Sequence, residues 1–177
     1  MNNIKKLEIA REAEMNKWTD LYCGALALAL KRFWGYGTKR IQDVINRAYD
    51  VSEECAKYGK EKSMIQMLDE ETGIELRSYT DNRSYRETAF LSTNIKYKKL
   101  NDAQYMCMII SQIKWMRPVV LSILCLAMYR QQGFGYERLV RLISQMDEII
   151  NDHNQDKVAL LRTARDEAKF VMQERVN

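Results

Sequence analysis

The chain has 177 residues, 28 Lys and Arg against 24 Asp and Glu, a net charge of +4, 7 glycines and a single proline. Such a length buries a core as one domain or two small ones, and the composition excludes both a disordered chain and an all-β one. The mild positive charge permits a nucleic-acid or acidic-protein partner without demanding one, since dedicated DNA binders often carry a much larger excess of basic residues.

In chain order, residues 4–19 read as a helix with Leu7, Ala10, Met15 and Trp18 on one face. From Tyr22 to Leu30 the chain is apolar all round, with Gly24 and alanines among the leucines, as expected of a helix at the centre of a bundle. That helix stops at Gly35, where glycine supplies the left-handed conformation that closes a helix end. Gly37 or Thr38 then starts a helix over about 38–56 with Ile41, Val44, Ile45, Ala48 and Val51 inside. After a loop at 57–60, a short helix from Met64 ends at Gly73, completing a first helical unit over 1–73.

Residues 74–101 break the helical pattern. Weak alternation from Ile74 to Thr80, the turn signal Asp81-Asn82 and scattered β-propensity predict an irregular connector that admits a small β-hairpin. It carries Arg77, Arg83, Arg86, Lys96, Lys98 and Lys99 among Tyr79, Tyr85 and Tyr97. Basic residues interleaved with tyrosine suit a phosphate backbone or an acidic protein face; a solvated linker is the plainer reading.

The second unit, 102–177, repeats the plan. A helix over about 102–116 has Met106, Ile109, Ile110 and Ile113 inward, and Pro118 opens a new helix that ends at Gly133. A helix over 136–150 buries Leu139, Leu142, Ile143, Met146, Ile149 and Ile150, and Asn151 to Asn154 form a loop. A last helix, 155–175, puts Val158, Leu161, Ala164, Ala168 and Val171 on one stripe. Residues 26–45 align with 124–143 at a constant offset of 98, with eight of 20 positions identical, among them Gly35/Gly133, Gly37/Gly135 and Arg40/Arg138. The expectation is an all-α protein made by tandem duplication of one helical unit, with Gly35, Gly37, Gly133 and Gly135 as structural corners.

Catalytic chemistry finds no footing. His153 is the only histidine, which removes most nucleophile–base schemes, and Cys23, Cys55, Cys107 and Cys125 lack metal-ligand spacing. The cysteines read as buried free thiols in a reducing cytoplasm. Gly35-Tyr36-Gly37 follows a helix and lacks the third glycine of a dinucleotide fingerprint. The acidic clusters Asp69-Glu70-Glu71 and Asp147-Glu148 read as solvated helix faces. No catalytic residue, metal or cofactor is assigned. The start of the chain lacks a signal-peptide core, and the apolar runs at about 22–30 and 119–129 are half a membrane span, so a soluble cytoplasmic protein without a membrane partner is expected.

Binding is the sharper expectation. Gly35 to Asn46 resembles the turn and second helix of a helix-turn-helix, with Thr38, Lys39, Gln42 and Asp43 toward a major groove and Arg40 toward phosphates. Two features depart from that motif: Lys31 and Tyr129 stand where it wants a small residue, and the preceding helix is too long. Lys39, Arg40 and Arg47, with the six basic residues of the connector, are the candidate contacts for a partner or nucleic acid.

The string Ala27-Leu28, Phe33, Gly35-Tyr36-Gly37, Lys39-Arg40-Ile41, followed by Asp69-Glu70-Glu71-Thr72-Gly73-Ile74, resembles a pattern in small phage and prophage proteins. The match covers roughly 25–75 well and 123–150 less well; in the second copy Glu137 replaces the lysine and the acidic tail is missing. In size and style the chain is similar to anti-CRISPR proteins directed at Cas9-type nucleases. That resemblance implies a non-catalytic inhibitor in the host cytoplasm that binds a guide-RNA-loaded nuclease. The alternatives are a DNA-binding regulator on duplex DNA and a structural or assembly protein of the phage particle, with a homo-oligomer open in each case.

Overall fold

A computed structural model describes residues 3–58, 64–76 and 101–172. Among them the protein is all-helical, with no strand: α1 (Asn3–Trp34), α2 (Thr38–Tyr58), α3 (Met64–Thr72), α4 (Asp102–Gln132), α5 (Tyr136–Asp152) and α6 (Lys157–Ala168). The connector residues 77–100, with the expected hairpin and all six of their candidate contacts, lie outside the described residues.

The two long helices form the centre and run parallel, side by side. Tyr105 reaches Glu8 near one end, Arg11 reaches Gln112 further along, and Tyr36 reaches Gln132 at the other end. Around this pair the short helices cross over. Helices α5 and α6 pack on α1, whereas α2 and α3 pack on α4, and each long helix makes only slight contact with the helix that follows it. The sequence explains the exchange. Every residue from Leu21 to Leu30 is buried, so α1 needs neighbours on all sides. A short turn brings α2 back along only one side, so the remaining cover comes from the second half of the chain. Gly24 marks the closest approach: a Cβ there would collide with the side chain of Leu160 on α6.

The corner geometry recurs at the offset of 98. Gly35 and Gly133 have φ of 66° and 65°, both left-handed. The Tyr36 amide donates to the Leu30 carbonyl at 3.0 Å, and the Phe134 amide to the Met128 carbonyl at 3.3 Å. Gly37 and Gly135 behave differently from the expectation that they too are corners. Their carbonyls accept from Ile41 and Leu139 at the start of the next helix. Gly135 has an ordinary φ of −72°, and neither glycine has a left-handed φ or a neighbour that a Cβ would meet. They are helix-starting positions that other residues could occupy.

Three expectations are corrected. Residues 102–132 form one helix, with Pro118 buried inside it and the Ser122 hydroxyl donating to its carbonyl at 2.7 Å. Proline withdraws a single amide from the ladder, and here packing by α1, α2 and α3 outweighs that loss. The uninterrupted α4 is long and apolar enough to cross a membrane by length and composition, though most of that stretch is buried in the bundle. Secondly, α6 stops at Ala168, where Lys169 turns left-handed and Phe170 folds into the core. Val158 and Val171, expected inside, are exposed, and Leu160 is buried instead. Thirdly, Ile110 and Cys107 on α4 are exposed, while Met108 and Trp115 are buried.

The end of α6 resembles the end of α3 in conformation and in its ion pair. Gly73 and Lys169 both take the left-handed conformation, and Ile74 and Phe170 both follow into the core. Arg130 of α4 forks onto Glu71 of α3, with Nε 3.0 Å from Oε2. Arg32 of α1 forks onto Glu167 of α6 at 2.7 and 2.6 Å. The two helix ends thus share conformation and an arginine–glutamate fork, at an offset of 96 rather than 98, although the Asp69–Ile74 motif itself does not recur.

Candidate functional site

The crossover places the two corners against each other at one end of the bundle. The rings of Trp34 and Phe134 lie 4.6 Å apart, and the Tyr36 hydroxyl donates to Gln132 Oε1 at 3.1 Å. The indole of Trp34 donates to the buried Gln145 at 2.9 Å, which fixes the ring at the junction. Phe134 and Tyr36 are buried, so the core rises to the surface here as an aromatic seam.

Arginines lie along this seam. The Arg40 guanidinium sits 3.8 Å from the Tyr36 ring centre and donates to Gln132 Oε1 through Nε (2.9 Å) and Nη2 (2.7 Å). Arg138 lies 5.9 Å from the ring of Phe134 and Arg141 5.7 Å from that of Trp34. All three are exposed residues and none forms a salt bridge among the described residues. Aromatic faces attract the cations and restrict their motion without cancelling the charge. Lys39 is exposed beside them.

Farther from the seam, Arg32, Arg47, Arg117 and Arg130 are compensated by carboxylates. Hydrogen bonding to Arg32 holds the Glu167 carboxyl below its usual range, and the same bond raises the Arg32 guanidinium further. Arg47, a candidate contact in the sequence, pairs with Asp50 at 3.6 Å and Glu54 at 3.0 Å on its own helix. Of the groups expected to face a major groove, Thr38 donates to the Ala168 carbonyl at 3.1 Å and Gln42 donates to Asn46 at 3.1 Å. The rest of the outer face of α2 carries Asp43, Asp50 and Glu53, which is no surface for phosphates.

A second polar cluster lies between α1, α4 and α5. The hydroxyl of the fully buried Tyr22 donates to Asp147 Oδ1 at 2.9 Å and accepts from Arg117 Nε at 2.8 Å, while Arg117 Nη2 donates to Asp147 Oδ1 at 3.1 Å. Burial, and then the charge of Asp147, pushes the phenol well above its usual range. Burial likewise pushes the Cys125 thiol up to about 12, so it stays protonated and inert. The bonds among Tyr22, Arg117 and Asp147 make this cluster a tie between the two halves of the chain. His153 is also structural: Nδ1 lies 2.7 Å from the Ile149 carbonyl and Nε2 3.2 Å from Thr163 Oγ1.

Sequence reasoning found Lys39 and Arg40 and missed Arg138 and Arg141 as members of the same face. The identity of Arg40 and Arg138 in the two copies was the available signal. The Tyr22–Arg117–Asp147 cluster carried none, because its members stand 95 and 125 residues from Tyr22. No family model, curated protein or solved structure matches this chain.

Proposed function

We propose that the protein acts by binding, as a non-catalytic inhibitor of phage or mobile-element origin, and that its target is a guide-loaded Cas9-type nuclease. The observation that carries the binding face is the set of three guanidiniums, Arg40, Arg138 and Arg141, held on aromatic rings with no carboxylate opposite. An ordered, uncompensated cationic surface loses little entropy when it meets an anion, and arginine held on aromatic rings suits phosphates. A nuclease loaded with guide RNA presents such groups. The choice of that target rests on the resemblance of the Gly35–Ile41 and Asp69–Ile74 strings. The DNA-regulator alternative draws less support, since Thr38, Gln42 and Arg47 are engaged within the protein.

In this reading the chain is also a tandem duplication whose halves exchanged their short helices. The recurrence of corner conformation, arginine–glutamate forks and arginine–ring pairs at matched positions supports that origin.

The test is DNA cleavage by a guide-loaded Cas9-type nuclease titrated with the protein, beside a plain duplex-binding titration. Inhibition at near-stoichiometric amounts with weak duplex binding is the expected result. Inhibition only at amounts that coat the DNA would replace this reading with the DNA-binding one.

A further inference from the structure

At the offset of 98, carried beyond residues 26–45 and 124–143 along the same helices, one space between the helices is lined by mostly larger residues in one half and is open in the other. The open one is a pocket of about 250 Å3 between α1, α2 and α4. Its walls include Thr19 and Cys23 of α1, Ala48 and Ser52 of α2, and Val120 and Ile123 of α4. Subtracting or adding the offset of 98 gives the matching positions on the other side. Thr19 becomes Arg117, Ala48 becomes Met146, Ser52 becomes Ile150 and Val120 becomes Tyr22. In these four pairs the pocket side has the smaller residue, while Ile123 and Tyr49 of the wall are larger than their counterparts Ala25 and Asp147. On the other side the ring of Tyr22 is fully buried and its hydroxyl is pinned by Arg117 and Asp147. On the open side Tyr49 stands at the position of Asp147, in the pocket wall.

We infer that this pocket binds a neutral aromatic small molecule of about two fused rings, seated beside Val120, at the position that Tyr22 holds in the other half. No charged side chain among the described residues lines the pocket, so an ionised ligand would lose hydration without a partner there. An apolar cavity of about 150 Å3 is enough to hold benzene, so the larger volume here admits a second ring. The amide of Asn16 and the hydroxyl of Ser52, both half-buried in the lining, make no hydrogen bond among the described residues. They give the ligand one polar edge to meet, such as a hydroxyl or a ring N–H. The Thr19 hydroxyl is already spent on the Met15 carbonyl at 2.8 Å.

The probe for the test is 2-naphthol, titrated into the full-length protein and followed by thermal shift and by methyl NMR. The methyls of Ala48, Val120 and Ile123 are expected to shift with saturation, while those of Leu139 and Leu142 in the other half stay in place. The variant Ala48→Met/Ser52→Ile copies the filled half. It is expected to abolish the shifts, lower the affinity by at least about tenfold and raise Tm. Absence of binding to the native protein would overturn the inference, as would equal binding to the filled variant. If that variant fails to fold, the methyl map of the native protein decides alone: shifts spread over both halves contradict the assignment. Nuclease inhibition is not a readout here, so this result stands or falls apart from the proposed function.

Discussion

Gly35 and Gly133 hold the corners through backbone conformation alone, because a Cβ at either position would meet nothing within 4 Å. Gly35→Val or Gly133→Val is therefore expected to cost about 1–3 kcal/mol, the price of a left-handed β-branched residue. Gly37→Ser and Gly135→Ser should be neutral or stabilise by a few tenths, because a hydroxyl can cap the helix there. Urea titration of the four variants checks this, and equal losses at all four would contradict the assignment. The sequence alone points to Gly35 as the closing, left-handed residue and to Gly37 or Thr38 as a helix start, although the repeat groups all four glycines as corners. Thiol chemistry gives a second residue-level test. At pH 8, iodoacetamide should label Cys107 in the native protein, while Cys125, buried and held near a pKa of 12, should react only on unfolding. Matching labelling rates would refute that burial.

At the scale of elements, the periodicity of α2 and α5 was legible because each is a surface helix with one apolar stripe. The long helices were legible only in part. Their apolar centres were plain, but an all-round apolar helix does not reveal its neighbours, and Pro118 looked like a start because its packing is tertiary information. Gly24 tests the crossover contact itself. Gly24→Val should destabilise by about 1–3 kcal/mol through overpacking against the buried Leu160, whereas a free α1 face would tolerate it. The Arg32–Glu167 fork joins the same pair of helices. Because the folded protein depresses the Glu167 carboxyl, its contribution is present above the unfolded value of about 4.3 and is lost as pH falls through the folded value. Both partners are partly exposed, so the contribution is at most about 1 kcal/mol. The Tm gap between native and Glu167→Gln should be present at pH 7 and close below about pH 4. A gap independent of pH would show that the charge plays no part.

At the scale of the molecule, the exchange of helices makes the two halves mutually dependent. Leu21–Leu30 would lose its cover if α5 and α6 left, and the Tyr22–Arg117–Asp147 tie would open. Denaturant unfolding followed by tryptophan fluorescence and by far-UV circular dichroism should therefore coincide in one transition, and two separated transitions would contradict the crossover. The division into units at 73 and 102 follows the chain's order, while the packing follows the crossover of helices, which the sequence pattern alone cannot announce. The same exchange brings Arg138 and Arg141 beside Arg40 and creates the cationic face on which the proposed function depends. The most direct measurement is the affinity of Arg40→Gln/Arg138→Gln/Arg141→Gln for the guide-loaded nuclease, with its Tm checked against the native protein. Exposed charges contribute roughly 0.2–1 kcal/mol each, so the account predicts a loss between about threefold and a hundredfold and a shallower salt dependence. Unchanged affinity in a normally folded variant would contradict it.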